Sequence, residues 1–311
     1  MEKLTDKVEE NGEKVEIDTQ NGATLVGNFF DYNSNKGIIM LPGITEHKES
    51  LYPFAEKLNQ SGFKVWAFDL NSQGESTGNW DISQMQESAH YISRHLKRRY
   101  GLKKIGAFGN SAGGMAVGLA SSKKDSDLEC LCLTGTPSSV DGVISKTCLK
   151  LARYIPQSLV RAASIGFDKV QADLLRNENY RRTSQPSFKT QNGYQSFAQF
   201  GALKISDLKE MAECALVAPR LSDYAQDIYQ PILLIYGGED SLNGIKGSQL
   251  PANIQNMYDS LGSKDKKLVI VSGASHALNS PPMRMGDCLN QDPKYSWVKD
   301  DVNKHFCESL L

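Results

Sequence analysis

The chain predicts an α/β protein with a mostly parallel central sheet, helices on both faces and an inserted helical cap. Three observations carry that reading. Short apolar runs alternate with longer helix-periodic segments, the pattern of a sheet covered on both sides. The alternation stops after Thr134, and residues 138–227 read as helical with no strand-like run. It then resumes at Pro231. The chain accordingly divides into a first core segment, 1–137, a cap, 138–227, and a second core segment, 228–311. A core of this size hides roughly three quarters of the surface of the extended chain.

The elements follow in order. Lys14–Thr19 and Thr24–Phe30 flank Gln20-Asn21-Gly22, a turn signal that predicts a β-hairpin. Gly37–Leu41 is a short apolar strand, Leu51–Gln60 has helical periodicity, and Phe63–Leu70 is the next strand. Ile82–Tyr100 is a helix whose last turns carry Arg94, Lys97, Arg98 and Arg99, favourable at the negative end of the helix dipole. A strand into Phe108, a helix from Gly114 to Ala120 and the strand Leu128–Thr134 complete the first core segment. After the cap come the strand Pro231–Tyr236, a helix near Ile254–Leu261 and the strand Lys267–Val271. The final helix places Val298, Val302, Phe306 and Leu310 at intervals of four, one buried stripe.

Composition narrows the function. The chain is 40% hydrophobic and 23% charged, ordinary for a soluble globular protein. A formal net charge of −1 and the absence of a long basic run argue against nucleic acid as a partner. The first residues are charged throughout and lack the apolar core of a signal peptide. No stretch approaches the ~20 apolar residues that span a bilayer. The six cysteines are scattered, Cys130 and Cys132 reading as buried strand residues without metal spacing. The expectation is a cytoplasmic protein with reduced thiols that needs neither metal nor cofactor.

The chemistry gathers at strand ends, where parallel sheets collect reactive groups. Gly109-Asn110-Ser111-Ala112-Gly113 lies between an apolar strand and a helix, the context in which a G-x-S-x-G serine becomes a nucleophile. A second match, Gly74-Glu75-Ser76-Thr77-Gly78, sits in a polar loop several residues past its strand, and that context rejects it. Ser111 needs a base, and histidine is suited to the task near neutrality. Of five histidines, His90 and His95 lie on the basic helix and His305 on the terminal one. His47 follows an early strand, whereas His276 follows the last strand, where a base reaching back to Ser111 is expected. Asp240, after the strand that ends at Tyr236, is the candidate carboxylate to orient His276. Glu239 is its neighbour and Asp141 the fallback. The backbone N–H groups of Ala112 and Ile44 are the expected oxyanion donors, the latter just past the strand ending at Leu41. The order Ser111, Asp240, His276 is that of α/β-hydrolases.

With these residues in place, the chain resembles the α/β-hydrolase superfamily, and within it the monoacylglycerol lipase, lysophospholipase and serine-aminopeptidase-like branch. Gly43-Ile44-Thr45-Glu46-His47 matches that branch's G-x-x-E-H. Asp69 with the Gly74–Gly78 loop matches its D…G-x-S-x-G, Asn110–Gly114 its elbow, and Gly273–His276 its base loop. By the resemblance, Glu46 and His47 shape the oxyanion loop and do not react. Family members commonly carry histidine where this chain has Pro42, Gln73 and Asn110.

The resemblance implies a serine hydrolase that cleaves carboxylic esters with aliphatic acyl chains, through an acyl-enzyme on Ser111. The alternatives are a peptidase or acyltransferase with the same three residues, or a ligand-binding protein without turnover. Cap insertions at this point roof an acyl pocket. The apolar and aromatic residues between Leu149 and Phe200 suit that role, and equally suit packing of cap helices on one another. Arg181 and Arg182 read as solvated loop charges and Trp80 as a packing residue.

Overall fold

A computed structural model of the protein describes residues 12–44, 46–79, 81–140, 214, 216–280, 289 and 292–310. Eight strands form one sheet in the order β1-β2-β4-β3-β5-β6-β7-β8. They are β1 (Glu13–Asp18), β2 (Thr24–Phe30), β3 (Lys36–Leu41), β4 (Lys64–Phe68), β5 (Lys104–Asn110), β6 (Leu131–Thr134), β7 (Ile232–Gly237) and β8 (Lys266–Val271). The first three in that order pair antiparallel and every later pair is parallel. The expected hairpin is present: Gly22 takes φ 82° at its turn, and Asp18 pairs with Thr24.

The helices are α1 (Tyr52–Gln60), α2 (Ile82–Arg99), α3 (Ser111–Ser121), the short α4 (Leu221–Tyr224), α5 (Ala252–Ser260) and α6 (Trp297–Leu310). Side chains alternate across each strand, so every central strand feeds two cores. Ile38 and Met40 of β3, Val65 and Ala67 of β4 and Leu233 and Ile235 of β7 pack against α1 and α6. Ile39, Leu41, Trp66, Phe68, Ile232 and Leu234 pack on the opposite face, against α2, α3, α4 and α5. The predicted stripe of α6 is real: Val298, Val302, Phe306 and Leu310 are all fully buried. Phe29 stacks on Trp66 at 4.6 Å between ring centroids, an arrangement worth about 0.5–1.5 kcal/mol beyond area burial. Asp81 caps α2 by accepting from Ser83 N at 2.8 Å.

Element ends differ from the sequence expectation in two informative places. The strand expected over Leu128–Thr134 forms only from Leu131, where it begins pairing with Ile232 of β7. The helix expected from Gly114 begins three residues earlier, at Ser111. Glycines that lower helix propensity are retained there because the first turn of α3 passes very close to other backbone. Of the stretch 138–227, expected to form a cap, only 138–140, Cys214 and 216–227 fall within the described residues. The readings of Asp141, Arg181, Arg182 and the apolar residues between Leu149 and Phe200 lie outside them, as does that of Trp80.

A polar cluster anchors the loops that leave β3 and β4. The Lys48 side chain is 3% exposed and its Nζ lies 2.9 Å from Asp69 Oδ2 and 2.7 Å from Glu75 Oε2. Asp69, wholly buried, also accepts from Lys48 N at 2.7 Å and Glu75 N at 3.0 Å. Burial pushes the Asp69 carboxyl up, and the Lys48 charge opposes that shift. Lys48→Met keeps much of the bulk but strands the Asp69 charge without a counter-ion. The expected loss is about 3–5 kcal/mol of stability, read as a lower midpoint of urea unfolding.

Candidate active site

Each sequence-predicted side chain sits just beyond the C-terminal end of a parallel strand. Ser111 follows β5 directly and adopts φ 49°, a left-handed conformation that costs a non-glycine residue roughly 1–2 kcal/mol. That conformation turns strand into helix within one residue. The turn is tight enough that a Cβ on Gly109 would lie 2.6 Å from Gly113 O. A Cβ on Gly113 would overlap the carbonyl oxygens of Leu41 and Pro42. The two glycines of the motif are therefore demanded by space.

Asp240 follows β7 and is fully buried, while its neighbour Glu239 is exposed. His276 follows β8 and is 7% exposed. Its Nδ1 lies 2.9 Å from both carboxylate oxygens of Asp240. A carboxylate only accepts, so Nδ1 carries the proton of neutral His276 and Nε2 keeps its lone pair. Asn243 completes the arrangement. Its backbone N–H donates to Asp240 Oδ1 at 3.0 Å, and its Nδ2 donates to Oδ2 at 2.9 Å and to Gly135 O at 2.7 Å.

Register brings the His276 ring toward Ser111. Asn110 of β5 pairs with Thr134 of β6, so Ser111 and Gly135 leave adjacent strand ends. The ring of His276 lies over Gly135, where an added Cβ would be 3.0 Å from Cε1. Neighbouring strands are about 4.8 Å apart. Ser111 Oγ and His276 Nε2 share no hydrogen bond here, and such contacts commonly tighten only when substrate is bound.

The loop after β3 lies against the elbow. Gly113 N donates to Pro42 O at 3.1 Å, and a Cβ on Gly43 would lie 3.2 Å from Ser111 Cβ. Among the described residues, neither Ile44 N nor Ala112 N donates to an acceptor of the protein. Glu46 ties this loop down: one carboxylate oxygen accepts from Gly43 N at 2.7 Å and Asn110 Nδ2 at 2.8 Å. Burial pushes the Glu46 carboxyl up, against the pull of those two donors. Asn110 in turn accepts from Thr134 Oγ1 at 2.8 Å. His47 turns away to Glu49, its Nδ1 lying 2.7 Å from Oε2. Burial opposes ionisation of Glu49, but the bond and charge of His47 outweigh it and hold the carboxyl at about 2.

The remaining candidates have other partners. Ser76 of the second G-x-S-x-G is buried, donates to Asp69 O at 3.0 Å and accepts from Val26 N at 2.9 Å. His305 Nε2 lies 2.8 Å from Leu131 O and 3.2 Å from Cys130 Sγ, inside the α6 core. His90 and His95 lie on α2. Among the described residues no group of three or more His, Cys, Asp or Glu is arranged to hold a metal ion. None of their helices is long and apolar enough to cross a membrane. Sequence reasoning missed Asn243, although its position three residues past a buried strand-end aspartate is the spacing of a local side-chain turn. It also missed the bond between Asn110 and Glu46, which joins residues from separate segments.

The family model described as serine aminopeptidase, S33, matches residues 33–280. The chain belongs to that family. The family lies within the α/β-hydrolase superfamily, and solved structures share its fold. An esterase from Pyrococcus furiosus superposes with TM-score 0.64 at 19% identity, over 96% of this chain and 91% of that one. A thermophilic esterase from Thermogutta terrifontis, with malate bound, gives 0.65 at 16% identity, over 96% and 100%. An esterase from Exiguobacterium antarcticum gives 0.60 at 13% identity, over 94% and 100%. No curated protein matches the chain significantly.

Asn243→Leu retains approximate size but removes the amide, leaving Gly135 O and one Asp240 lone pair without their buried donor. The expected cost is about 1–3 kcal/mol, measurable as a lower urea midpoint.

Proposed function

We propose that the protein is a serine hydrolase that cleaves carboxylic esters with aliphatic acyl chains, through an acyl-enzyme on Ser111. The observation that carries the reading is the bond between His276 Nδ1 and the buried Asp240 carboxylate, over the strand end next to a strained Ser111. In this reading Ser111 Oγ attacks the ester carbonyl as its proton passes to His276 Nε2. The N–H groups of Ala112 and Ile44 hold the resulting oxyanion, each worth about 3 kcal/mol in the transition state. Collapse expels the alcohol, which takes the proton from His276, and water then repeats the cycle on the acyl group. Asp240 stays ionised throughout, fixing the ring and stabilising the imidazolium; Asn243 fixes Asp240.

Membership of a hydrolase family supports hydrolysis, and the esterases that share the fold favour esters over amides. The family's description as serine aminopeptidase supports a second reading, amide cleavage by the same residues. No step calls for a cofactor, and the proposed partner is a small-molecule acyl ester. The free thiols of Cys130, Cys132 and Cys307 support a reducing compartment such as the cytoplasm.

A fluorophosphonate probe is expected to label the protein, and Ser111→Ala to abolish labelling; a variant that labels as well as the parent refutes the reading. Asp240→Asn is expected to lower kcat roughly 10⁴-fold with the fold intact. Matched p-nitrophenyl esters of rising chain length and aminoacyl amides separate the two readings, because a peptidase turns over the amides faster.

A further inference from the structure

We propose that the groove between the β1–β2 turn and the outer face of α2 is a binding site for a small phosphate-bearing ligand, separate from Ser111. The groove encloses about 780 Å³, within the range of small-molecule sites. Asn21 and its neighbours in the turn form one wall, fixed to α2 by Asn21 Nδ2 donating to Gln84 O at 3.2 Å. The other wall carries Arg94, Arg98, Arg99, His90 and His95.

The charges on this wall are unevenly satisfied. Arg94 Nη1 is held by Asp125 Oδ2 at 2.5 Å, and the groove's one carboxylate, Glu87, is held by Lys123 at 2.5 Å. Arg98 and Arg99 are exposed and have no carboxylate within ion-pair distance among the described residues. A basic last turn suits the helix dipole, and that accounts for cations near the end of α2. It does not account for a concave wall that sets two imidazoles among them. Burial, and then the charge of Arg99, lowers the pKa of His95, which favours the neutral ring. His90 is 8% exposed: its Nε2 lies 3.4 Å from Arg94 Nη1 and 3.5 Å from Asp125 Oδ1, and its buried Nδ1 has no hydrogen-bond partner. A smaller hollow of about 240 Å³ shares His95 and Arg99 but is bordered by Glu13 and Glu16. Those carboxylates repel an anion from that side and favour the larger groove.

Phosphate fits this donor set. Guanidinium forks bind its oxygens in pairs, and a neutral imidazole supplies one further N–H. The ligand is expected to be small, to match a groove of about 780 Å³. The site stands independently of the reaction assigned to Ser111.

The test is titration of the full chain with inorganic pyrophosphate at constant ionic strength, followed by calorimetry and by the histidine ring resonances. His90→Gln and His95→Gln assign the two groove histidines. Saturable binding with Kd of about 1 mM or tighter is expected, shifting His90 and His95 but not His305. Arg98→Gln with Arg99→Gln is expected to weaken binding at least about tenfold while leaving the thermal midpoint and fluorophosphonate labelling unchanged. Shifts that fail to saturate, that chloride reproduces at equal ionic strength, or that survive the double substitution overturn the proposal. Loss of labelling in Ser111→Ala bears on the hydrolase reading alone, so the two proposals fail separately.

Discussion

Close approach between the exit of β3 and the first turn of α3 is the constraint on which the site's geometry rests. Backbone meets backbone there: Gly113 N donates to Pro42 O, and no side chain fits between Gly113 and the Leu41 and Pro42 carbonyls. That contact sets the N-terminus of α3 beside the loop bearing Ile44 and fixes where Ser111 leaves the sheet. The left-handed φ of Ser111 is maintained because the surrounding structure leaves the residue no other course. Glu46 then secures the same two segments from the side, through Gly43 and Asn110.

Polar groups around this contact are buried and paired with one another. Lys48 and Asp69 hold the base of the β3 and β4 loops, Glu46 joins loop to elbow, and Asn243 joins Asp240 to Gly135. Such networks contribute little net stability once desolvation is counted, but they penalise every arrangement that breaks them. Rigidity at the strand ends is the gain. Asn110 uses its amide in both senses, donating through Nδ2 to Glu46 and accepting at Oδ1 from Thr134. The position is a bridge between neighbouring loops, without a titratable ring.

The sheet, its helical layers and the residues past the strand ends were legible in the sequence because period and punctuation encode them. Apolar runs such as Ile232–Gly237 stand out locally, and the acid buried just beyond that strand is Asp240, not the exposed Glu239. His276 was reachable by the same logic. Lys48 and the Asn110–Glu46 bond were not, because their roles depend on contacts between segments far apart in sequence, which no periodicity records; for Asn243 the bond to Asp240 is local, but the one to Gly135 is not. The late start of β6 was hidden for a related reason: Leu128 and Cys130 are as apolar and buried as strand residues, yet pairing with β7 begins at Leu131.

The pairing of β6 with β7 spans the whole inserted stretch, with Leu131 against Ile232 and Thr134 against Ile235. The entropy of closing so long an excursion rises only with the logarithm of its length. The intervening polypeptide is thus free to be exchanged, shortened or enlarged at small thermodynamic cost to the scaffold. Length and composition can then vary in the excursion while the ladder that clasps its two feet stays as it is.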